Sequence, residues 1–232
     1  RCSRDWSSDV CSSDLAAPPP EPFAQSAHAG TLAFELSVGR DRLVVNCGHR
    51  VGENWTNASR ATAAHSTLVL DDANSTEIVG AGLGRRPVVT VRRQEDEGSV
   101  WVDAEHAGYA DRTGWTHRRR VYVGAAGDTF RGEDTLDPTA GRQPKADIPF
   151  TVRFHLHPDV QVSLLADGAL LRPSSGEGWR FRAAGASIGL EESVYLGRTG
   201  EMRRAEQIVL TGTTAADGAT IKWALGRIEA DR

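Results

Sequence analysis

The chain has 232 residues and a formal net charge of −4, from 27 basic and 31 acidic side chains. This near balance gives no argument for binding nucleic acid, and no apolar run approaches the roughly 18 residues of a membrane-spanning helix. Hydrophobic residues make up 39% of the chain, enough to bury a large core. The length suits one large all-β domain or two small ones.

Residues 1–15 do not read as part of a fold. They lack a helical or strand period and the basic start and apolar core of a signal peptide. Their near-repeats WSSDV and CSSDL resemble a translated sequencing adapter, and without this segment Cys47 is the one cysteine left. We expect residues 1–15 to be a non-native, disordered addition, residues 16–24 to be a proline-rich linker, and residues 25–232 to form a β domain. On this interpretation the chain is the C-terminal part of a longer protein.

From residue 31 onward the sequence predicts one strand after another. Apolar and polar residues alternate through 31–38, the period of a half-buried strand, and a short turn leads into 42–48. Residues 56–65 are the only plausible helical turn. A spacing of about 8–12 residues between strands is typical of a sandwich or barrel. The sequence therefore predicts an all-β fold, a large antiparallel multi-sheet β-sandwich. The remaining predicted strands, separated by turns with Gly, Asp, Asn and Pro, are 65–72, 86–94, 99–107, 115–124, 128–136, 148–157, 160–166, 169–173, 178–184, 187–193, 206–212 and 219–228.

Three polar side chains stand at the ends of neighbouring predicted strands. His28 precedes the first strand, Asn46 ends its hairpin partner, and His65 opens a later strand. Because a hairpin returns the chain to the edge where it began, the three side chains could converge. Two histidines and a carboxylate would form a good zinc set, but a neutral amide is a weak ligand. Alone, His28 would more commonly be a packed or surface residue.

Two further patterns have a functional and a structural interpretation. His155 and His157 share one face of a predicted strand and could hold a metal with a third ligand, as in a cupin-like barrel, or simply occupy a wet strand end. Arg118 and Arg120 share a face opposite to Arg119. They could bind an anionic glycan, or they could guard a solvated edge strand with charge.

Three segments carry a family resemblance. AHAGTLAFELSVGRDRLVVNCG (27–48), ATAAHSTLVLDD (61–72) and VRFHLHPDV (152–160) resemble, in order and spacing, the β-sandwich part of the heparinase II/III family, especially its alphaproteobacterial branch. The likeness covers nearly all of 22–228. Members of the family are polysaccharide lyases in which a helical toroid precedes the sandwich. The resemblance implies three things: an acidic, uronate-containing polysaccharide as partner, an N-terminal toroid of the same chain, and a location in the periplasm or cell envelope, with the cytoplasm as the alternative.

The family's site residues map onto this chain incompletely. In the family, a His-x-His-x-Asp pattern enters the first strand. Its catalytic first histidine falls on Ser26, its second on His28, and its aspartate on Gly30. The family's metal site matches His28, Asn46 and His65. The resemblance therefore implies a degenerate site with zinc as candidate cofactor and no catalytic histidine, because serine needs a base of its own to take up a proton at neutral pH.

Two hypotheses follow from the resemblance. In the first, the chain is the C-terminal fragment of a lyase that cleaves uronate-containing glycans by β-elimination, and the fragment alone is inactive. In the second, it is a non-catalytic carbohydrate-binding or scaffolding β-sandwich with a degenerate metal and catalytic site.

Overall fold

A computed structural model describes residues 9–13, 27–50, 52, 55–198 and 201–228, with only the backbone described at 9–13 and 198. Ser26 and the predicted linker at 16–24 lie outside the described residues. In this part of the chain no helix has the length and apolar character needed to cross a bilayer.

Strands dominate the described residues, and short helical turns interrupt them. The helical elements are a single turn α1 (Ala110–Thr113) and two 3₁₀ turns at Ala58–Arg60 and Thr62–Ala64. The strands are β1 (Asp9–Ser13), β2 (Phe34–Val38), β3 (Asp41–Val45), β4 (Leu68–Leu70), β5 (Ile78–Val79), β6 (Gly82–Leu83), β7 (Val89–Asp96), β8 (Ser99–His106), β9 (Trp115–Val123), β10 (Thr129–Pro138), β11 (Pro149–Leu156), β12 (Gln161–Leu165), β13 (Gly168–Arg172), β14 (Trp179–Ala184), β15 (Ser187–Arg198), β16 (Glu201–Thr213) and β17 (Ala219–Arg227).

Two large sheets form the sandwich. The first has seven strands in the order β1-β2-β3-β11-β16-β15, with β4 also pairing with β11. The second has eight strands in the order β12-β13-β14-β17-β10-β9-β8-β7, and β5 and β6 form a small separate ribbon. The pairs between strands of these sheets are antiparallel. The predicted fold class, an all-β antiparallel multi-sheet sandwich, is confirmed.

Aromatic rings fill the space between the sheets. Phe34 and Phe154 from the seven-stranded sheet meet Trp223 from the eight-stranded sheet at centroid distances of 5.4 and 5.0 Å. Phe154 also contacts Phe181 at 5.0 Å. Gly132 on β10 lies directly beneath Trp223, and a Cβ at this glycine would lie 2.1 Å from the indole ring. The glycine therefore makes room for the Trp223 ring, and any larger residue would displace it.

A buried ion pair in the eight-stranded sheet also contacts the segments that precede β2 and β4. Arg119 on β9 is 2% exposed and donates Nε and Nη2 to the carboxylate of Asp134 at 2.8 and 3.0 Å. Its Nη1 reaches across to the carbonyl oxygens of Leu32 and Ser66 at 2.9 and 2.8 Å. Leu32 is a buried non-glycine residue with φ of 60°, in the left-handed region. The arginine therefore holds this turn and the start of β4 in place.

Two buried histidines extend the ion pair. His117 Nε2 lies 2.7 Å from Asp134 and therefore donates to it, so its Nδ1 accepts from His106 Nε2 at 3.2 Å. The remaining nitrogen of His106 accepts the Gly108 N–H at 3.1 Å. Burial lowers the pKa of both histidines. Burial alone would raise the pKa of Asp134, but the charge of Arg119 and the donated hydrogen bonds hold it well below its usual value.

One expectation about a single segment is corrected. The interpretation of 115–124 as an edge strand is wrong, because β9 lies between β8 and β10. Within the first 15 residues the structure describes β1, which pairs with β2 from Asp9 to Ser13. The non-native origin and disorder of residues 1–15 and the division of the chain at residues 15 and 24 stay predictions.

Candidate functional site

The segment before β2 is fixed on both sides of His28. The Arg60 side chain donates Nε to the Ala27 carbonyl at 2.8 Å, and the Ala29 N–H donates to the Arg60 carbonyl at 2.8 Å. The Ala29 carbonyl accepts the Thr62 hydroxyl at 2.7 Å. Contacts with the 3₁₀ turns, rather than a strand ladder, therefore set the position of His28.

His28 and His65 lie side by side. His28 Nδ1 and His65 Nε2 are 3.0 Å apart, and the rings meet edge to face with centroids 5.1 Å apart. His65 Nδ1 lies 2.8 Å from the Ala61 carbonyl, which can only accept, so Nδ1 carries the proton. His65 Nε2 then accepts from His28 Nδ1, which leaves Nε2 of His28 as an open lone pair without a partner among the described residues.

Both imidazoles are neutral at physiological pH. Burial, helped by the neighbouring His65 and His49 rings, lowers the pKa of His28 to about 4. Burial also lowers the pKa of His65, against the opposing effects of the Ala61 carbonyl and Glu35. A general base works best with a pKa near the working pH, so His28 is a weak proton acceptor. Its neutral Nε2 still suits a hydrogen bond or a metal ion.

His49 is a third imidazole that the sequence did not point to. Its ring centroid is 5.2 Å from that of His28, and its Nδ1 is 3.2 Å from the Ser59 hydroxyl. We refer to His28, His49 and His65 as the histidine cluster. His49 lies three residues after Asn46 in the same loop, and this short spacing is the sequence signal that could have identified it.

Asn46 is held by backbone and side-chain partners. Its Oδ1 accepts the Ser66 N–H at 2.8 Å, and its Nδ2 donates to Glu35 at 3.4 Å. Glu35 also accepts the Asn46 backbone N–H at 3.2 Å and a hydrogen bond from Arg42 at 3.0 Å. Asn46 therefore links β2, β3 and the start of β4, and its amide oxygen already has a donor.

The described residues fit a zinc ion poorly. Two nitrogen ligands of a tetrahedral zinc are about 3.3 Å apart, close to the separation of the two histidines, but a proton lies between these nitrogens. No three His, Cys, Asp or Glu side chains come together as a metal-binding group in this part of the chain. At Gly30, where the family pattern has aspartate, a Cβ would lie 2.6 Å from the His65 ring. Zinc at this pair stays a prediction.

His155 and His157 have separate partners. His155 is buried, donates Nε2–H to the Ala63 carbonyl at 3.0 Å and accepts the Ser193 hydroxyl at 2.8 Å. Burial lowers its pKa to about 3 and raises that of the adjacent Cys47 thiol. His157 instead packs on the Tyr195 ring with centroids 4.9 Å apart. His155, at 3% exposure, is therefore a packed side chain and does not lie at a wet strand end.

Arg118 and Arg120 lie on the outer face of the eight-stranded sheet. Arg118 binds both carboxylate oxygens of Asp103, with Nε at 2.7 Å from Oδ1. Arg120 lies 3.6 Å from Asp103 and 3.5 Å from Glu133. Neither arginine contacts the histidine cluster among the described residues, and their role in binding a glycan stays a prediction.

Two stacked antiparallel sheets, with the histidine cluster beside the start of β2, define a large antiparallel β-sandwich. The model of the family "Heparinase II/III-like, C-terminal" matches residues 11–224. The chain therefore belongs to the heparinase II/III-like C-terminal family.

Individual relatives and solved structures are similar to the chain over most of its length. The chain is 35% identical over 242 aligned positions to FtsZ-localized protein C of Caulobacter vibrioides. This alignment covers 93% of this chain and 40% of that protein. Among solved structures, it is similar to heparan sulfate lyase HepC from Pedobacter heparinus, with a TM-score of 0.73, 15% identity, and coverage of 93% of this chain and 32% of that one. A heparinase III gene product matches with a TM-score of 0.69 and 14% identity over 87% of this chain and 30% of that one. The chain thus spans less than half the length of each.

Proposed function

We propose that the chain is the β-sandwich domain of a lyase-family protein that holds an acidic, uronate-containing glycan and that this domain does not cleave the glycan on its own. The observation that carries the proposal is the His28–His65 pair, whose two imidazoles are neutral and share a proton. The family membership supports an acidic glycan as the polymer. The histidine pair provides hydrogen-bonding groups but no effective base.

β-Elimination from a uronate requires three groups. A base removes the proton next to the carboxylate, an acid protonates the leaving oxygen, and a positive or hydrogen-bonding group stabilises the charge on the carboxylate. Burial raises the pKa of Tyr109, and the Tyr195 hydroxyl already accepts a hydrogen bond from Arg42 at 2.6 Å. Among the described residues no tyrosine contacts the histidine cluster. A complete catalytic set therefore requires groups from a second domain, for which the toroid is the candidate.

The test compares the chain with a longer protein that also contains the toroid. Each is incubated with heparan sulfate and with alginate, and the absorbance of the unsaturated uronate product is followed while binding is measured in parallel. We expect the 232-residue chain to bind an acidic glycan without forming product. Product formation by this chain alone would refute the proposal that cleavage requires the toroid. Lack of binding to every acidic glycan would refute the glycan assignment.

A second candidate function is a scaffold in cell division. It is supported by the 35% identity to a protein whose name describes localisation with FtsZ, together with the incomplete acid–base set. A fluorescent fusion of the longer protein would then collect at the division site, and His28→Gln would leave this localisation unchanged. Diffuse fluorescence would contradict the scaffold, and protease accessibility in spheroplasts would distinguish the periplasm or cell envelope from the cytoplasm.

A further inference from the structure

A groove of about 430 Å³ crosses the outer face of the eight-stranded sheet, on the side facing away from the core. This volume falls in the range of small-ligand sites. We propose that the groove is a binding site for a short stretch of anionic oligosaccharide, with a sugar ring on Trp101 and Tyr122 and acidic groups on Arg131 and Arg182.

The strand register places these side chains in one row. Trp101 lies opposite Tyr122, Tyr122 opposite Arg131, Arg131 opposite Ala224, and Ala224 opposite Arg182. The small Ala224 therefore forms a floor between two arginines. Since neighbouring strands are about 4.8 Å apart, the two arginine backbones are about 10 Å apart, comparable to the length of a disaccharide.

The aromatic end of the row is an exposed platform. Trp101 is 45% exposed, and its ring centroid is 4.5 Å from that of Tyr122. The Arg131 guanidinium lies over the Tyr122 ring at 5.6 Å. Such a surface offers an apolar face to a sugar ring and a cation beside it for the acidic substituent.

Charge separates this row from its neighbour. In the adjacent row Arg120 lies opposite both Asp103 and Glu133, and Lys222 lies 3.6 Å from Glu133. These cations therefore already have carboxylate partners. Arg131 has no carboxylate partner among the described residues. The Arg182 side chain is 64% exposed, with only a 3.8 Å contact to Asp167.

The same surface favours a short anionic ligand over a long polyanion. A second cavity shares Trp101, Tyr122 and Arg131 with the groove and is also lined by Asp96 and Glu97. These carboxylates limit the positive surface at that end, and they would repel the anionic groups of a polymer that continued past Trp101. The forked guanidinium groups match a uronate carboxylate as well as a phosphate, so the binding of an oligothymidylate distinguishes a sugar from a nucleic acid.

The assignment rests on the proposed function only in the choice of an acidic glycan, and binding can be measured without cleavage. The probes are fluorescent hexasaccharides of oligoguluronate and of heparan sulfate, with cellohexaose as neutral control and a ten-nucleotide oligothymidylate as a different polyanion. Arg131→Gln, Arg182→Gln and Trp101→Ala change the row, while Arg204→Gln removes an arginine from the other sheet. Its side chain is 79% exposed, which makes it a matched control.

We expect the chain to bind at least one acidic hexasaccharide and each row variant to bind it about tenfold more weakly. The control variant should bind within about twofold of the parent chain, since its contact lies on the surface. Circular dichroism checks that each variant keeps the β-sheet signal. Unchanged affinity in Arg131→Gln, or oligothymidylate binding as tight as that of the sugar, would overturn the proposal.

The same measurements also distinguish a failure of the groove proposal from a failure of the proposed function. If His28→Gln abolishes binding while the row variants bind normally, the groove is excluded and the proposed function of the histidine cluster stands. If the row variants lose binding and the longer protein forms no elimination product, the groove stands and the lyase assignment falls.

Discussion

Replacing Asp134 with asparagine should destabilise the sandwich by about 3–5 kcal/mol, because the Arg119 charge would remain buried without a counter-charge. Asp134 is fully buried and accepts four hydrogen bonds, from His117 Nε2, from Nε and Nη2 of Arg119, and from Trp223 Nε1 at 2.8 Å. Asparagine has one acceptor oxygen and one amide nitrogen, and the nitrogen would face donors. For a chain of this size the loss corresponds to a decrease in Tm of about 6–20 °C.

Urea-induced unfolding followed by tryptophan fluorescence and circular dichroism measures this effect. Asp167→Asn is the matched control, because its carboxylate is 57% exposed and pairs with Arg180 on the surface. We expect the control to unfold at the urea concentration of the parent chain. A loss of less than about 1 kcal/mol in Asp134→Asn would show that the buried pair does not stabilise the sandwich as inferred.

Three further predictions concern the histidines and Asn46. Burial holds the pKa of His155 near 3 in the folded protein. Between pH 6.5 and pH 3 this imidazole therefore takes up a proton in the unfolded chain but not in the folded one. Stability should therefore fall as pH drops from about 6.5 toward 3, by about 1.4 kcal/mol per pH unit for this group, and His155→Gln should reduce the measured slope by one proton. In NMR titrations the imidazole of His28 should change charge near pH 4, and a transition near 6.5 would contradict its buried contact with His65. Asn46→Asp combined with Glu35→Gln should raise zinc content after dialysis, because it supplies a carboxylate without placing it against a second one at 3.4 Å. Equal zinc in variant and parent chain would show that the missing carboxylate does not limit metal binding.

Period-two patterns predicted the strands because each strand has one buried face. Phe34, Leu36 and Val38 lie on that face and are buried. The sequence also indicated that Arg119 and His117 face away from Arg118. It could not indicate that β9 is central, since strand order depends on pairings between distant segments. A run of arginines looks like an edge strand until its carboxylate partners on β8 and β10 are known.

The candidate site was predictable only in part. His28 and His65 stand out because each flanks a strand, and the hairpin brings Asn46 into the same region. The engagement of the Asn46 oxygen by the Ser66 N–H depends on the packing of the 3₁₀ turns, which have no strong local signal. The outer groove could not be predicted from the sequence either, because Trp101, Arg131 and Arg182 come from three strands that are far apart in the chain.

The contact between Gly30 and His65 affects how this domain can change in evolution. The imidazole occupies the volume that a side chain at residue 30 would need, so an aspartate at this position would have to displace the ring. Such a substitution would therefore require a second change that repositions His65, and single substitutions at residue 30 would be poorly tolerated.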